Sequence, residues 1–222
     1  MQVCINCENL PLRTREMYDQ QVAIVANNQD FRTTYGINHN SALNELSYYH
    51  VVGGMPSDLA HDLFEGVVPQ VMTHVIKYCV QSGFFSLNYL NGQIRDFPYS
   101  YIDKANKPKT VPEIVSKFKV SQSASQMWCF FRLLPLMIGE CVPLDDPKWE
   151  TILMLYDVVF YVCAPTLRPC HTEYLKELIE DFLESFLREF PNETLKPKFH
   201  FMLHYPDQIL TFGSLVHLQT KI

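Results

Sequence analysis

Three groups of residues have types and spacings suited to chemistry. Cys4-Ile5-Asn6-Cys7 sets two thiols three residues apart, so both thiolates of a tight turn can reach one tetrahedral zinc ion. It is either half of a zinc site, completed by histidine or aspartate from elsewhere, or a pair of free thiols. The run Asp58-Leu59-Ala60-His61-Asp62-Leu63-Phe64-Glu65 concentrates three carboxylates and an imidazole. On a helix, Asp58, His61, Asp62 and Glu65 share one stripe, while Leu59, Leu63 and Val67 line another. Such a stripe can ligate a metal, orient a catalytic carboxylate (Asp58 or Glu65), or simply interact with the helix dipole. His200 and His204 form an i, i+4 pair able to bind zinc from one helix face, but without the glutamate that a metalloprotease helix carries after its first histidine. The plainer expectation for that pair is two partly buried rings bonded to backbone. Cys163 and Cys170-His171 flank a proline-bearing turn and read as packing residues. The absence of a phosphate loop, a GxSxG elbow and a dinucleotide fingerprint argues against an ordinary metabolic enzyme.

The elements that must position these residues are helices for the most part. Residues 13–26 have few breakers and read as a helix ended by Asn27-Asn28. The aromatic and β-branched stretch 48–52, closed by Gly53-Gly54, is a strand candidate. A helix is expected over 57–81, capped by Ser57 or Asp58, ended by Gly83, and kinked or divided by Pro69. Another runs from Ser86 until Pro98 stops it. Residues 99–121 hold two prolines and five lysines and read as an exposed connector, with a short helix at 111–117. Residues 124–140 are apolar almost all round despite Pro135, and Asp146-Pro147 opens a helix to 163; these two form the core. Thr172 is expected to cap a helix to 190 with one apolar stripe, and Pro197 and Pro206 leave 198–211 short or bent. The expected fold is mainly α: an antiparallel helical array without internal repeats.

Composition bounds the partners. The chain has 222 residues, 47% hydrophobic and 19% charged, enough for a core of one or two domains. Its net charge of -6 is not that of a stand-alone DNA binder, so any DNA contact is expected to be local, at Lys104, Lys107 and Lys109. Seven scattered cysteines with no signal peptide point to a reducing, intracellular compartment, nuclear or cytoplasmic. The longest apolar run is broken by Arg132 and too short for a membrane span. Both ends read as cut from something longer.

Taken in order, the segments 4–7 (CINC), 43–46 (LNEL), 49–67 (YHVVGGMPSDLAHDLFEGV), 123–128 (SASQMW), 195–206 (LKPKFHFMLHYP) and 212–215 (FGSL) resemble the C-terminal half of animal transposase-like proteins akin to the CACTA (En/Spm) class. The blocks 58–67 and 197–206 are the most specific. The resemblance implies an RNase H-like core, with carboxylates holding two Mg²⁺ ions for in-line attack on DNA phosphodiesters. It divides the chain into a small α/β remnant of that core's edge, 1–66, and a helical insertion, 67–222. In the family pattern the first two catalytic aspartates precede the CxxC and a glutamate follows the FG turn. Residues 1–222 hold neither, so a fragment or relic without activity of its own is expected. Cys4, Cys7, Asp58 and His61 match the family's CxxC and DxxH, which implies a structural zinc on Cys4, Cys7 and His61, with Asp58 or His50 as fourth ligand. The rival expectation is a non-catalytic, host-recruited helical module that binds protein or DNA.

Overall fold

The computed structural model describes residues 13–114 and 118–219, and among them every regular element is helical and no strand occurs. The described residues fall into two compact units that meet in sequence between Pro56 and Ser57.

The smaller unit begins with α1 (Arg15–Asn27), whose first turn is capped by the Thr14 hydroxyl accepting the Met17 N–H at 3.2 Å. A 3₁₀ turn at Gln29–Phe31 leads into the single turn α2 (Arg32–Tyr35). Tyr18, Val25 and Ile37 form a small core, flanked by Val22, Tyr35, Val51 and Val52. The expected strand at 48–52 is instead a turn, and the reason lies in its backbone donors. The Val51 N–H goes to Asn44 Oδ1 at 2.8 Å and the Val52 N–H to His50 Nδ1 at 3.0 Å, so side chains satisfy what a neighbouring strand would have. A Cβ at Gly54 would lie 2.2 Å from the His50 carbonyl oxygen, so only glycine fits beneath this turn.

In the larger unit the expected helix from 57 onward is present in two forms. Ala60–Val67 is π-helical and continues directly into α3 (Val68–Gln81), with Pro69 in the first turn of α3. Its missing N–H falls where the ladder passes from i→i+5 to i→i+4 bonding, so the proline changes the helix form at this point instead of ending the helix. α4 (Leu87–Asp96) is capped by Ser86, and α5 (Ala124–Ile138) by a capping box of Ser123 and Gln126. α6 (Pro147–Val162) follows the Asp146 cap. α7 (Pro169–Glu189) starts before Thr172: proline takes the first helical position, and the Thr172 hydroxyl donates back to the Pro169 carbonyl at 2.6 Å instead of capping. The expected final helix is split into α8 (Pro197–Met202) and α9 (Tyr205–Phe212), since Pro206 cannot donate into a continuous ladder.

The apolar stripe of α7 (Leu175, Ile179, Phe182, Leu183 and Phe186) is wholly buried, and α7 packs along α6 with a buried Thr151–Ser185 hydroxyl pair at 2.8 Å. α5 lies against the π-helical segment, where Phe64 meets the edge of Trp128 at 4.9 Å between centroids. The connector after α4 is irregular, as expected, but is fastened at two points. Asn91 exchanges both amide bonds with the Val111 backbone, and Thr73 accepts the Val120 N–H at 3.0 Å. Residues 111–114 are not helical, and the rest of the short helix expected there lies outside the described residues. No helix is long and apolar enough to cross a membrane among the described residues.

Candidate functional site

The DxxH element occupies the entrance to the larger unit. Ser57 is held from both directions along its backbone: its N–H donates to Gln208 Oε1 at 2.8 Å, and its carbonyl accepts from Gln219 Nε2 at 3.3 Å. Asp58, next in the chain, then caps the following turn by accepting the His61 N–H at 3.3 Å. Its other carboxylate oxygen lies 2.8 Å from His61 Nδ1, while His61 Nε2 stands 3.5 Å from Glu65. Burial pushes the Asp58 carboxyl up, but hydrogen bonds from the His61 ring and from backbone N–H groups outweigh it and hold the group below its usual value.

Asp62 does not share this stripe. The widened i→i+5 turn rotates it away from the line of His61 and Glu65 and into the core. There burial raises its carboxyl to about 6, with the Asp58 charge adding and Lys198 opposing. Tyr205 lies close by, fully buried, with a hydroxyl that meets no partner; burial first, and the Asp62 charge next, push it well above its ordinary value. Lys198 straddles the segment from α8, donating its ammonium to the His61 carbonyl. Its stem lies over Gly66, where a Cβ would come within 2.4 Å of Lys198 Cδ. Lys198 and Tyr205 both fall within the 195–206 block, so that block and 58–67, distant in sequence, form one site.

The remaining expected ligands are distributed differently. Cys4 and Cys7 lie outside the described residues. His50 belongs to the smaller unit, where Nδ1 accepts from Val52 and Nε2 faces Asp19 at 3.3 Å, so both ring nitrogens are engaged. The His200 and His204 rings meet each other: Nε2 faces Nε2 at 3.2 Å, which requires one ring to donate to the other. Burial and the neighbouring His200 lower the pKa of His204. Among the described residues no three His, Cys, Asp or Glu side chains form a metal-sized cluster. Asp58 and Glu65 lie against different nitrogens of one imidazole, an arrangement that does not put the two carboxylates on a shared Mg²⁺ ion.

Of the candidate DNA-contacting lysines, all three are exposed, but their surroundings differ. Lys107 donates to the Arg95 carbonyl at the end of α4 at 2.7 Å and lies over the Tyr99 ring, so it closes a helix. Lys109 is tied through its backbone to the Gln122 amide, leaving its ammonium outward, as is that of Lys104. The sequence offered no signal for Gln70, which is buried at 8% exposure with both amide atoms unpartnered. No family model, curated protein or solved structure matches the chain.

Proposed function

We propose that residues 1–222 belong to a DDE-type DNA transposase lineage of the CACTA (En/Spm) kind, as a fragment or relic that holds a structural zinc and does not cut DNA by itself. The observation that supports this best is the pairing inside the DxxH element. Asp58 on His61 Nδ1 sets the ring tautomer so that Nε2, which faces Glu65 at 3.5 Å, is the nitrogen that would ligate once it leaves that contact, the arrangement in which a carboxylate orients a zinc-bound histidine. Cys4, Cys7 and His61 would then hold the ion, with Asp58 behind the histidine; Asp58 as the fourth ligand would have to give up this bond. The zinc supplies a covalent-like crosslink for a turn with few apolar anchors. The reading also rests on the order of the matching blocks, two of which, 58–67 and 195–206, are joined by Lys198 on the His61 carbonyl.

Zinc analysis of protein purified without chelators tests it. About one equivalent is expected, lost in Cys4→Ser/Cys7→Ser and in His61→Ala, with Asp58→Asn weakening affinity about 10-fold to 100-fold. Zinc well below one equivalent, or zinc kept by the double cysteine variant, overturns the assignment. The same preparation should neither nick nor join DNA in Mg²⁺ or Mn²⁺, and nicking that disappears in Asp58→Ala would overturn the non-catalytic half of the reading.

A further inference from the structure

Arg132, on the outer side of α5, is the centre of an apolar face of the larger unit. On one flank its guanidinium pairs with Asp103, which brings the two residues before that aspartate, Tyr101 and Ile102, up to α5. Leu136 follows one turn further along the same helix. On the other flank Arg132 helps to line a cavity of about 220 Å³ between α5 and α6, walled by Trp128, Phe131, Tyr156 and Val159. Phe160 stands at the edge of this cavity and is 64% exposed, while Tyr101, Ile102 and Leu136 are 92%, 81% and 73% exposed. Single exposed apolar side chains are ordinary on a protein surface, but four grouped about one arginine are not.

The area of this face is close to what a stable dimer needs. The four side chains present on the order of 500–600 Å² to water, taking about 200 Å² for a whole aromatic side chain and somewhat less for an aliphatic one. A stable interface takes about 800 Å² from each partner, and the cavity wall supplies part of the remainder. Aromatic and aliphatic side chains around a single arginine are also the composition of an interface centre.

Two features make the occupant a second copy of this chain. The face carries a hole with a projecting ring beside it, and because an apolar cavity of about 150 Å³ already accepts benzene, one of about 220 Å³ takes a phenyl ring. A two-fold axis between hole and ring seats each Phe160 in the opposite cavity, since such an axis presents the same surface from both sides. The rim charges are self-complementary as well. Lys104 is exposed on the Asp103 flank, and Asp157 is exposed on α6, outside the cavity lining, so the same axis sets the lysine of one protomer against the aspartate of the other.

We propose that the face around Arg132 is the interface of a two-fold homodimer, with Phe160 of each protomer in the α5–α6 cavity of the other and Lys104 facing Asp157 across the rim. Burial of the apolar side chains supplies the affinity, and the rim pairs fix the register. Zinc and the transposase reading play no part in it.

Sedimentation equilibrium of the whole chain in reductant, loaded from about 1 to about 100 µM, tests the interface. A dimer with a dissociation constant of about 10 µM or below is expected. Phe160→Ser and Leu136→Ser, both at exposed positions, should each weaken it about 10-fold or more while circular dichroism shows the helices unchanged. Lys104→Glu and Asp157→Lys should each weaken the dimer several-fold, and the double variant should recover it, because the reversed pair attracts again. A wild-type chain that stays monomeric at about 100 µM overturns the proposal, and so does a dimer that Phe160→Ser leaves intact. Losses from the two charge reversals that simply add in the double variant overturn the two-fold register.

Discussion

Replacing Asp146 by alanine should unlock the junction between α3 and α6. One carboxylate oxygen accepts the Trp149 N–H at 2.9 Å and caps α6; the other accepts the Tyr78 hydroxyl from α3 at 2.6 Å. The residue is 7% exposed, so water replaces neither bond freely when the carboxylate is lost. Loss of the cap costs about 1 kcal/mol. A hydroxyl bond to a charged acceptor contributes about 1.5–3 kcal/mol when buried, and nearer 1 here because Tyr78 is only half-buried. Asp146→Ala should therefore lose about 2–3 kcal/mol, Tyr78→Phe about 1, and the double variant less than their sum, by about 1 kcal/mol of coupling. Urea unfolding read by tryptophan fluorescence measures this in the larger unit, because Trp128 and Trp149 both lie there and are the chain's two tryptophans. With a slope of about 2 kcal/mol/M, the Asp146→Ala midpoint should fall by about 1–1.5 M. Additive single effects, with coupling below about 0.3 kcal/mol, or an Asp146→Ala midpoint equal to wild type, would refute the bridging role.

The π-helical segment should respond to Gly66→Ala in a background-dependent way. With Lys198 present the new methyl group displaces its stem and pulls the ammonium off the His61 carbonyl, a loss of about 1 kcal/mol; in Lys198→Ala only the His61 carbonyl oxygen at 3.1 Å still crowds the methyl, so the loss should shrink, and an equal loss in both backgrounds would contradict the contact. Burial lowers the His74 pKa against the opposing pull of Glu193, with Lys77 and Lys196 adding to the fall, so the unfolded chain takes up that proton first as pH drops. Stability is then lost as pH falls from the ordinary histidine value of about 6.5 through the lower folded one, and melting curves of His74→Gln should show a shallower decline over that interval. Among Cys79, Cys129, Cys141, Cys163 and Cys170, iodoacetamide followed by peptide mass mapping should find Cys170 alkylated first. It is exposed, whereas burial pushes the Cys79 and Cys163 thiols up to about 12. Early labelling of Cys163 in the native protein would count against its place, partly buried, against the core of the larger unit.

Much of the helical framework is readable locally. Thr14, Ser86, Ser123 and Asp146 are each hydroxyl or carboxylate residues placed before a helical pattern, and each caps a helix. The α7 stripe follows from its spacing alone, since a solvated helix buries its apolar side wherever it docks. Thr172 was misassigned because Pro169 three residues earlier competes for the helix start, and proline at the first helical position outranks a hydroxyl that can bond backward. The stretch 48–52 is a turn because β-propensity describes fitness for a pleated surface, and among the described residues no neighbouring strand provides one.

The chemistry of the candidate site divides along the same line. That Asp58, His61 and Glu65 share a face, and that His200 and His204 do, is contained in their spacing, because helical geometry repeats every few residues regardless of context. That Asp62 leaves the stripe depends on a π turn, which no residue pattern in 60–67 announces and which packing against α5 and α8 accompanies. That Lys198 reaches across to His61, 137 residues away, and that Gln70 is buried without a partner, depends on how segments distant in sequence dock on one another. Local spacing determines which side chains share a helix face; only the docking of one helix on another decides which face is wet, which charge is buried, and which ammonium meets which carbonyl, because burial and Coulomb energy are properties of the neighbours and not of the residue.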